Sequence, residues 1–162
     1  ALWDSRNDTL FLARDRLGIK PLYYYLDSNR IIFASEIKAI LADKSGPRQI
    51  DQKAFYDYLR LLYIPAPKSI FKGLRKLPAG HYLIIQHGQA LSPRQYWDLS
   101  FSHVDTTLSE SEWCERILAM LRESIKIRLI SDVPLGAFLS GGVDSSAVVA
   151  LMSSLLDTPV KT

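Results

Sequence analysis

The sequence of 162 residues predicts two partial domains, an α+β domain followed by the opening of an α/β domain. Three observations predict this division. The first third alternates short runs of β-branched and aromatic residues with turn residues. A polar stretch without periodicity occupies 98–108, and a capped helix then leads into a strand–loop–helix pattern. We therefore predict domains at 1–97 and 109–162, joined by a linker at 98–108.

The first domain is predicted to begin as an antiparallel meander of short strands. Turn residues such as Gly18 and Pro21 separate the strands, and a further strand follows at 81–86 after an irregular segment at 65–80. The strands predicted before that segment cover 1–4, 9–15, 22–25 and 31–34.

Two helices are predicted between these strands. Ser35 is placed to cap a short helix over 36–41, and Asp51 to cap a second helix that ends by Pro65. The second helix carries apolar residues at three- and four-residue spacing, namely Ala54, Phe55, Tyr58, Leu59 and Leu62.

The second domain opens with a capping box, in which Ser109 and Glu112 satisfy the first N–H groups of a helix. Pro134 breaks that helix, a short buried strand is predicted over 137–139, and an apolar helix over 145–156. The first helix repeats an apolar residue every four positions, at Trp113, Ile117, Leu121, Ile125 and Leu129.

The composition narrows the class of protein. Apolar residues make up 48% and charged residues 23%, a globular balance. The net charge of +3 comes without a basic block, so we expect no nucleic-acid partner. The longest apolar run, 147–152, falls far short of the ~20 residues of a membrane span. The single cysteine, Cys114, suits a reducing compartment, and we expect a cytoplasmic protein without membrane contact.

The two ends of the sequence suggest an internal part of a longer protein. The chain begins at Ala1 without methionine, inside a predicted strand, and ends in a β-leaning tail after a helix. We therefore expect the isolated chain to be inactive and poorly stable, with incomplete packing partners for several apolar side chains: Leu10, Leu12, Tyr24 and Ile32.

The segment Ser140–Ser146, SGGVDSS, is the candidate binding loop. Its glycines allow a sharp turn, and the following helix directs free N–H groups and its positive dipole end into that turn. Three serine hydroxyls add donors, which favours an anion with several oxygens, such as phosphate or pyrophosphate. Asp144 would repel that anion unless a cation lies between them, so the loop implies Mg²⁺.

Two other functional interpretations of the loop do not fit its residues. A Walker loop needs Lys-Ser/Thr where Gly142-Val143 stands, and a nucleophile elbow needs glycine where Phe138 stands. A glycine turn that only joins a strand to a helix remains open. Outside the loop, His81, His87 and His103 share no metal-ligand spacing, and Cys114 is interpreted as a small buried residue.

Five ordered segments resemble the glutamine-dependent asparagine synthetases. Besides SGGVDSS with its preceding residues 130–136, they are 13–24 (ARDRLGIKPLYY), 33–40 (FASEIKAI), 77–83 (LPAGHYL) and 96–99 (YWDL). The resemblance covers nearly the whole chain, in order, across both predicted domains.

The resemblance implies a fold and a mechanism for each domain. The first would be the C-terminal part of an N-terminal-nucleophile glutaminase domain, which frees ammonia from glutamine. The second would be the start of a Rossmann-like ATP-pyrophosphatase domain, which adenylates aspartate before ammonia displaces AMP. ATP and Mg²⁺ would be the cofactors, glutamine and aspartate the substrates, and the intact enzyme a homodimer.

The resemblance also implies roles for individual residues. Asp144 would hold Mg²⁺, Phe138 would line the nucleotide pocket, and the glutaminase nucleophile would lie upstream of Ala1, so no glutaminase catalytic residue is assigned within the chain. The loop residues that would surround the pyrophosphate portion of ATP are Ser140, Gly141, Gly142, Val143, Asp144, Ser145 and Ser146. A related amidotransferase with another acceptor acid, and a non-catalytic nucleotide-binding module, remain alternatives.

Overall fold

The computed structural model describes residues 1–28, 30–87, 89–90, 92–102 and 106–162. The described chain forms two compact units, Ala1–Ser100 and Phe101–Thr162. The predicted boundaries at 1–97, 98–108 and 109–162 stay a prediction, and part of the linker lies outside the described residues. The elements in chain order are β1 (Leu2–Asp4), β2 (Thr9–Ala13), β3 (Tyr23–Leu26), β4 (Ile31–Ala34), α1 (Ile37–Leu41), α2 (Gln52–Leu61), β5 (Leu74–Lys76), β6 (His81–Gln86), β7 (Gln89–Ala90), β8 (Arg94–Gln95), α3 (Glu110–Arg128) and α4 (Val143–Leu155).

The strands of the first unit form two antiparallel sheets. One sheet has the order β1-β2-β6-β7, with β8 also paired to β6, and the other has the order β4-β3-β5. The predicted meander is therefore wrong at one step, because β2 pairs with β6 and β3 lies in the other sheet. The reason is non-local: Leu10 and Leu12 stand opposite Ile85 and Leu83, a pairing that no local pattern reveals.

The core of the first unit takes side chains from both sheets. The cluster consists of Leu10, Leu12, Tyr24, Leu77, Leu83 and Ile85, with Leu22 and Ile31 packed against it. The expectation of incomplete packing partners is therefore wrong for Leu10, Leu12 and Tyr24, which are buried in this core. Alternation along β2 and β6 directs Leu10, Leu12, Leu83 and Ile85 to one face, and β3 supplies Tyr24 to cover it.

The connection between β2 and β3 is held by two charged side chains. The Arg14 guanidinium donates to the carbonyl oxygens of Lys20 (3.0 Å), Leu77 (2.8 Å) and Gly18 (2.7 Å). The Asp15 carboxylate accepts from the N–H groups of Lys20 (3.0 Å) and Ile19 (2.9 Å), and these bonds lower the pKa of Asp15. Arg14 and Asp15 are therefore scaffold residues that fix this loop.

The helices of the first unit differ in how they begin. The Asp51 cap is confirmed, since its carboxylate accepts from the N–H groups of Lys53 (2.9 Å) and Ala54 (3.1 Å). The Ser35 cap is wrong, because the N-cap position of α1 is Glu36 and no side chain caps that helix. On α2 only Ala54 is buried; the other residues of the predicted apolar stripe, Phe55, Tyr58, Leu59 and Leu62, are 47–81% exposed.

The second unit contains the long helices α3 and α4, which pack against each other. The capping box is confirmed: Ser109 Oγ accepts from the Glu112 N–H at 3.4 Å, and Glu112 Oε2 accepts from the Ser109 N–H at 2.7 Å. Of the predicted apolar repeat on α3, only Ile125 is buried. No helix within the described residues combines the length and apolar character needed to cross a membrane.

The capping box gives the first prediction. The hydroxyl and N–H of Ser109 hydrogen-bond the Glu112 carboxylate and lower its pKa, so this contact stabilises the fold above the ordinary pKa of glutamate and is lost as pH falls through the lowered value. In Ser109→Ala we expect the Glu112 pKa to rise, measured by NMR titration, and the Glu112 amide to exchange roughly fivefold faster. Ser111→Ala, two residues further along the same first turn, is the control and should change neither the Glu112 pKa nor the exchange of the Glu112 amide. An unchanged Glu112 pKa in Ser109→Ala would contradict the role of the Ser109 hydroxyl.

The predicted buried strand at 137–139 is wrong. Gly136 forms one isolated parallel bridge with Lys161, and the Ala137 N–H donates to the Lys161 carbonyl oxygen at 2.9 Å. Phe138 is fully exposed and Leu139 is half-exposed. A buried strand needs pairing partners along its length, and among the described residues only Lys161 provides one, so no strand forms over this segment.

Candidate nucleotide-binding loop

The loop SGGVDSS joins the Gly136–Lys161 bridge region to helix α4. The helix begins at Val143, two residues before the predicted start, and Gly142 is its N-cap with an extended backbone (φ −75°, ψ 158°). The first main-chain bond of the helix runs from the Ser146 N–H to the Gly142 carbonyl oxygen at 3.0 Å. The N–H groups of Val143, Asp144 and Ser145 therefore have no partner within the helix and are available to an anion.

The two loop glycines differ in whether the structure requires glycine at their position. Gly141 has φ +80°, a left-handed conformation that a residue with a side chain adopts at a cost, although a Cβ there would meet open space. Gly142 has an ordinary φ, and a Cβ there would lie 3.5 Å from Ser140 Oγ. The sequence argument for backbone freedom thus applies to Gly141, whereas a Cβ at Gly142 would make only ordinary van der Waals contact with the neighbouring hydroxyl oxygens.

The hydroxyl groups of Ser140 and Ser145 meet inside the loop. Their Oγ atoms are 3.0 Å apart, and Ser145 Oγ donates to the Gly142 carbonyl oxygen at 3.1 Å. The Ser146 side chain is exposed, and its hydroxyl makes no hydrogen bond with the described residues. The loop therefore combines two engaged hydroxyls with one free hydroxyl.

Asp144 is the candidate metal ligand. It lies in the first turn of α4, is exposed, and makes neither an ion pair nor a side-chain hydrogen bond within the part of the chain that the structure describes. The described ranges contain no group of three or more metal-binding side chains. Mg²⁺ in nucleotide sites commonly uses one or two carboxylates and takes its other ligands from phosphates and water, so a single carboxylate in this candidate loop fits it.

Phe138 borders an open cavity next to the loop. The cavity has a volume of about 350 Å³ and is lined by Gly136, Ala137, Phe138, Lys161 and Thr162. Sequence reasoning placed Phe138 at this edge but did not include Lys161, whose main chain pairs with Gly136 and Ala137. The signal for Lys161 was the β-leaning tail that follows α4, a typical position for the second strand of a βαβ unit.

Among the residues that the structure describes, the remaining candidates do not assemble into a site. His81 Nδ1 is 2.7 Å from the Ala79 carbonyl oxygen, and His87 Nδ1 is 3.6 Å from Asp8 Oδ2 at a turn. His103 lies outside the described residues. Cys114 is exposed on α3, so its interpretation as a buried residue is wrong, because the packed face of α3 contains Ile125 and not Cys114.

Comparison with known proteins defines the class of the chain. Residues 1–97 match the family model of the glutamine amidotransferase domain, and residues 116–162 match that of asparagine synthase. The chain therefore belongs to the asparagine synthase family, with a glutamine amidotransferase part followed by a synthase part. This confirms the resemblance found in the sequence motifs.

Three relatives illustrate the likeness. A Methanocaldococcus jannaschii protein, provisionally named glutamine-hydrolyzing asparagine synthetase 2, is 40% identical over 96% of this chain and 30% of its own length. Amidase chry2 of Gibberella zeae is 36% identical over 99% of this chain and 24% of its own. Glutamine-hydrolyzing asparagine synthetase 3 of Bacillus subtilis is 35% identical over 93% of this chain and 24% of its own. The chain thus spans about a quarter to a third of the length of these relatives.

Proposed function

We propose that this chain is part of an enzyme that converts aspartate to asparagine with ATP, using glutamine as the nitrogen donor. One observation carries the proposal: an amidotransferase match and a synthase match follow each other on one chain, and SGGVDSS lies at the start of α4 within the second match. In this reaction the aspartate side chain is activated as β-aspartyl-AMP with release of pyrophosphate, and ammonia from glutamine then displaces AMP.

The loop is proposed to bind the pyrophosphate portion of ATP. Three free N–H groups at the start of α4 and the Ser146 hydroxyl are donors for phosphate oxygens, and the helix dipole favours the negative charge. Asp144 would hold Mg²⁺, which neutralises charge between the carboxylate and the phosphates. Phe138, which precedes the loop, and Val143, which lies within it, offer exposed apolar surface for the nucleotide.

The absence of a lysine from the loop supports pyrophosphate as the leaving group. A transferring γ-phosphoryl group is normally held by a loop lysine, whereas Gly142-Val143 stands at that position. Donors aimed at the pyrophosphate act where negative charge develops as the nucleotide reacts. The loop chemistry therefore fits adenylation better than phosphoryl transfer.

A Rossmann-like ATP-pyrophosphatase domain is proposed for the second unit. Its support is the parallel bridge between Gly136, which precedes α4, and Lys161, which follows it. This is the arrangement of a strand–helix–strand crossover, in which the loop SGGVDSS follows the first strand position. For the first unit we propose a glutaminase domain of the N-terminal-nucleophile type. A cytoplasmic location and a homodimer remain predictions.

A related amidotransferase acting on another carboxylic acid is the second candidate, because two relatives at 36% identity are named amidases, chry2 and chyE. The test is to supply the full-length protein with ATP, Mg²⁺ and glutamine, and to measure pyrophosphate release with aspartate and with a panel of other carboxylic acids. Release that depends on aspartate supports the first candidate. Release with another acid alone supports the second, and ATP binding without pyrophosphate release would favour a non-catalytic nucleotide-binding module.

A further inference from the structure

The Ser145 hydroxyl is already engaged within the loop of the ligand-free chain. It donates to the Gly142 carbonyl oxygen at 3.1 Å and lies 3.0 Å from Ser140 Oγ. A hydroxyl can donate only one hydrogen bond. Because the Ser145 hydroxyl donates to the Gly142 carbonyl oxygen, it accepts a hydrogen bond from the Ser140 hydroxyl. The three groups form a relay from Ser140 through Ser145 to Gly142 that joins the two sides of the glycine turn.

Ser146 has a different position. Its N–H bonds the Gly142 carbonyl oxygen at 3.0 Å as the first bond of α4, while its exposed side chain makes no hydrogen bond with the described residues. Ser145 is half-buried by comparison. The serines of SGGVDSS are thus unequal, since one hydroxyl is free for a ligand and two are used to hold the loop.

We propose that Ser145 is a positioning residue, which holds Gly141 and Gly142 in the binding conformation before the ligand arrives. This inference rests on the proposed function, in which the loop binds the phosphates of ATP. Glycines have more backbone freedom than other residues, and ordering them during binding would weaken affinity. The relay orders them in the free protein, and the N–H groups of the turn are therefore preorganised.

The test compares Ser145→Ala with Ser146→Ala in the full-length protein. Hydrogen exchange of the amides of 141–146 is measured without ligand, and the Kd of Mg²⁺–ATP by calorimetry. Ser145→Ala removes both hydrogen bonds of the Ser145 hydroxyl, and one lost bond usually changes an equilibrium about three- to tenfold. In this variant we therefore expect loop exchange at least roughly tenfold faster and ATP binding at least about three- to tenfold weaker. In Ser146→Ala we expect weaker ATP binding with unchanged exchange.

Three further variants sharpen the comparison. Ser145→Thr retains the Oγ atom and should restore both exchange and ATP affinity. Ser140→Ala removes only the Ser140–Ser145 bond and should change exchange and affinity in the same direction by a smaller amount. The double variant should be no worse than Ser145→Ala, which already removes both bonds.

Unchanged exchange in Ser145→Ala together with weaker ATP binding would overturn the positioning role and make Ser145 a direct ligand contact. Failure of the wild-type protein to bind Mg²⁺–ATP would instead overturn the proposed function, and the positioning role with it. The exchange comparison without ligand distinguishes the two failures.

Discussion

Replacing Asp144 by alanine in the full-length protein is expected to abolish adenylation while leaving glutamine hydrolysis largely intact. Asp144 is the single carboxylate within Ser140–Ser146, a segment otherwise composed of groups that attract anions. Without it, the charge on the leaving pyrophosphate loses its proposed metal compensation in the transition state. The loss of one such electrostatic contact typically lowers the rate by about 10²–10³-fold. The measurement is aspartate-dependent pyrophosphate release, with glutamate release from glutamine followed in parallel.

Asp157→Ala is the matched control for this variant, because Asp157 is an exposed aspartate that follows the C-terminal end of α4, whereas the loop lies at the N-terminal end of that helix. We expect it to leave pyrophosphate release unchanged. Asp144→Asn, which keeps the shape and removes the charge, should be as defective as Asp144→Ala. Normal pyrophosphate release in both Asp144 variants would show that the metal assignment is wrong.

Replacing Gly80 by alanine is expected to destabilise the first unit by about 2–5 kcal/mol. Gly80 is buried with φ +65°, and a Cβ there would lie 2.4 Å from the Trp97 carbonyl oxygen. Main-chain hydrogen bonds join Gly80 to three residues. Its N–H donates to the Asp15 carbonyl oxygen, and its own carbonyl oxygen accepts from the N–H groups of Tyr96 and Trp97. Alanine would therefore add backbone strain and force apart segments that these bonds hold together. Urea denaturation followed by circular dichroism measures the free energy of unfolding.

Gly73→Ala provides the control, because Gly73 shares the left-handed conformation (φ +80°) without the collision. A Cβ there would meet only the movable ring of Tyr25, at 3.3 Å. We expect a loss of about 1–2 kcal/mol, the cost of the conformation alone. Equal losses for Gly73→Ala and Gly80→Ala would contradict the close approach between Gly80 and Trp97.

Features fixed by neighbouring residues could be predicted from the sequence. The caps at Asp51 and Ser109 depend on hydrogen bonds that span two or three residues, and both are confirmed. The predicted cap at Ser35 is wrong by one position. Glu36 has an extended backbone and is the N-cap, so the helix begins at Ile37 and not at the predicted Glu36. Helix ends are therefore predictable to about one turn where a side chain bonds the first amides.

Features that depend on distant partners could not be predicted in the same way. The pairing of β2 with β6 joins segments about 70 residues apart, and the side-chain pattern of β2 is equally compatible with β3 as its neighbour. The apolar residues 137–139 indicated a buried strand, but burial requires partners that a local pattern cannot supply. Within SGGVDSS the composition predicted donors for an anion, whereas the engagement of the Ser145 hydroxyl became visible only in the structure.

The most direct test of the proposed enzyme follows the nitrogen atom. The full-length protein is incubated with ATP, Mg²⁺, aspartate and glutamine labelled with ¹⁵N in the side-chain amide, and the products are analysed by NMR and mass spectrometry. We expect the ¹⁵N label in the side-chain amide of asparagine. One AMP and one pyrophosphate should form for each asparagine produced. Formation of ADP and phosphate, or glutamine hydrolysis without transfer of the label to aspartate, would contradict the proposal.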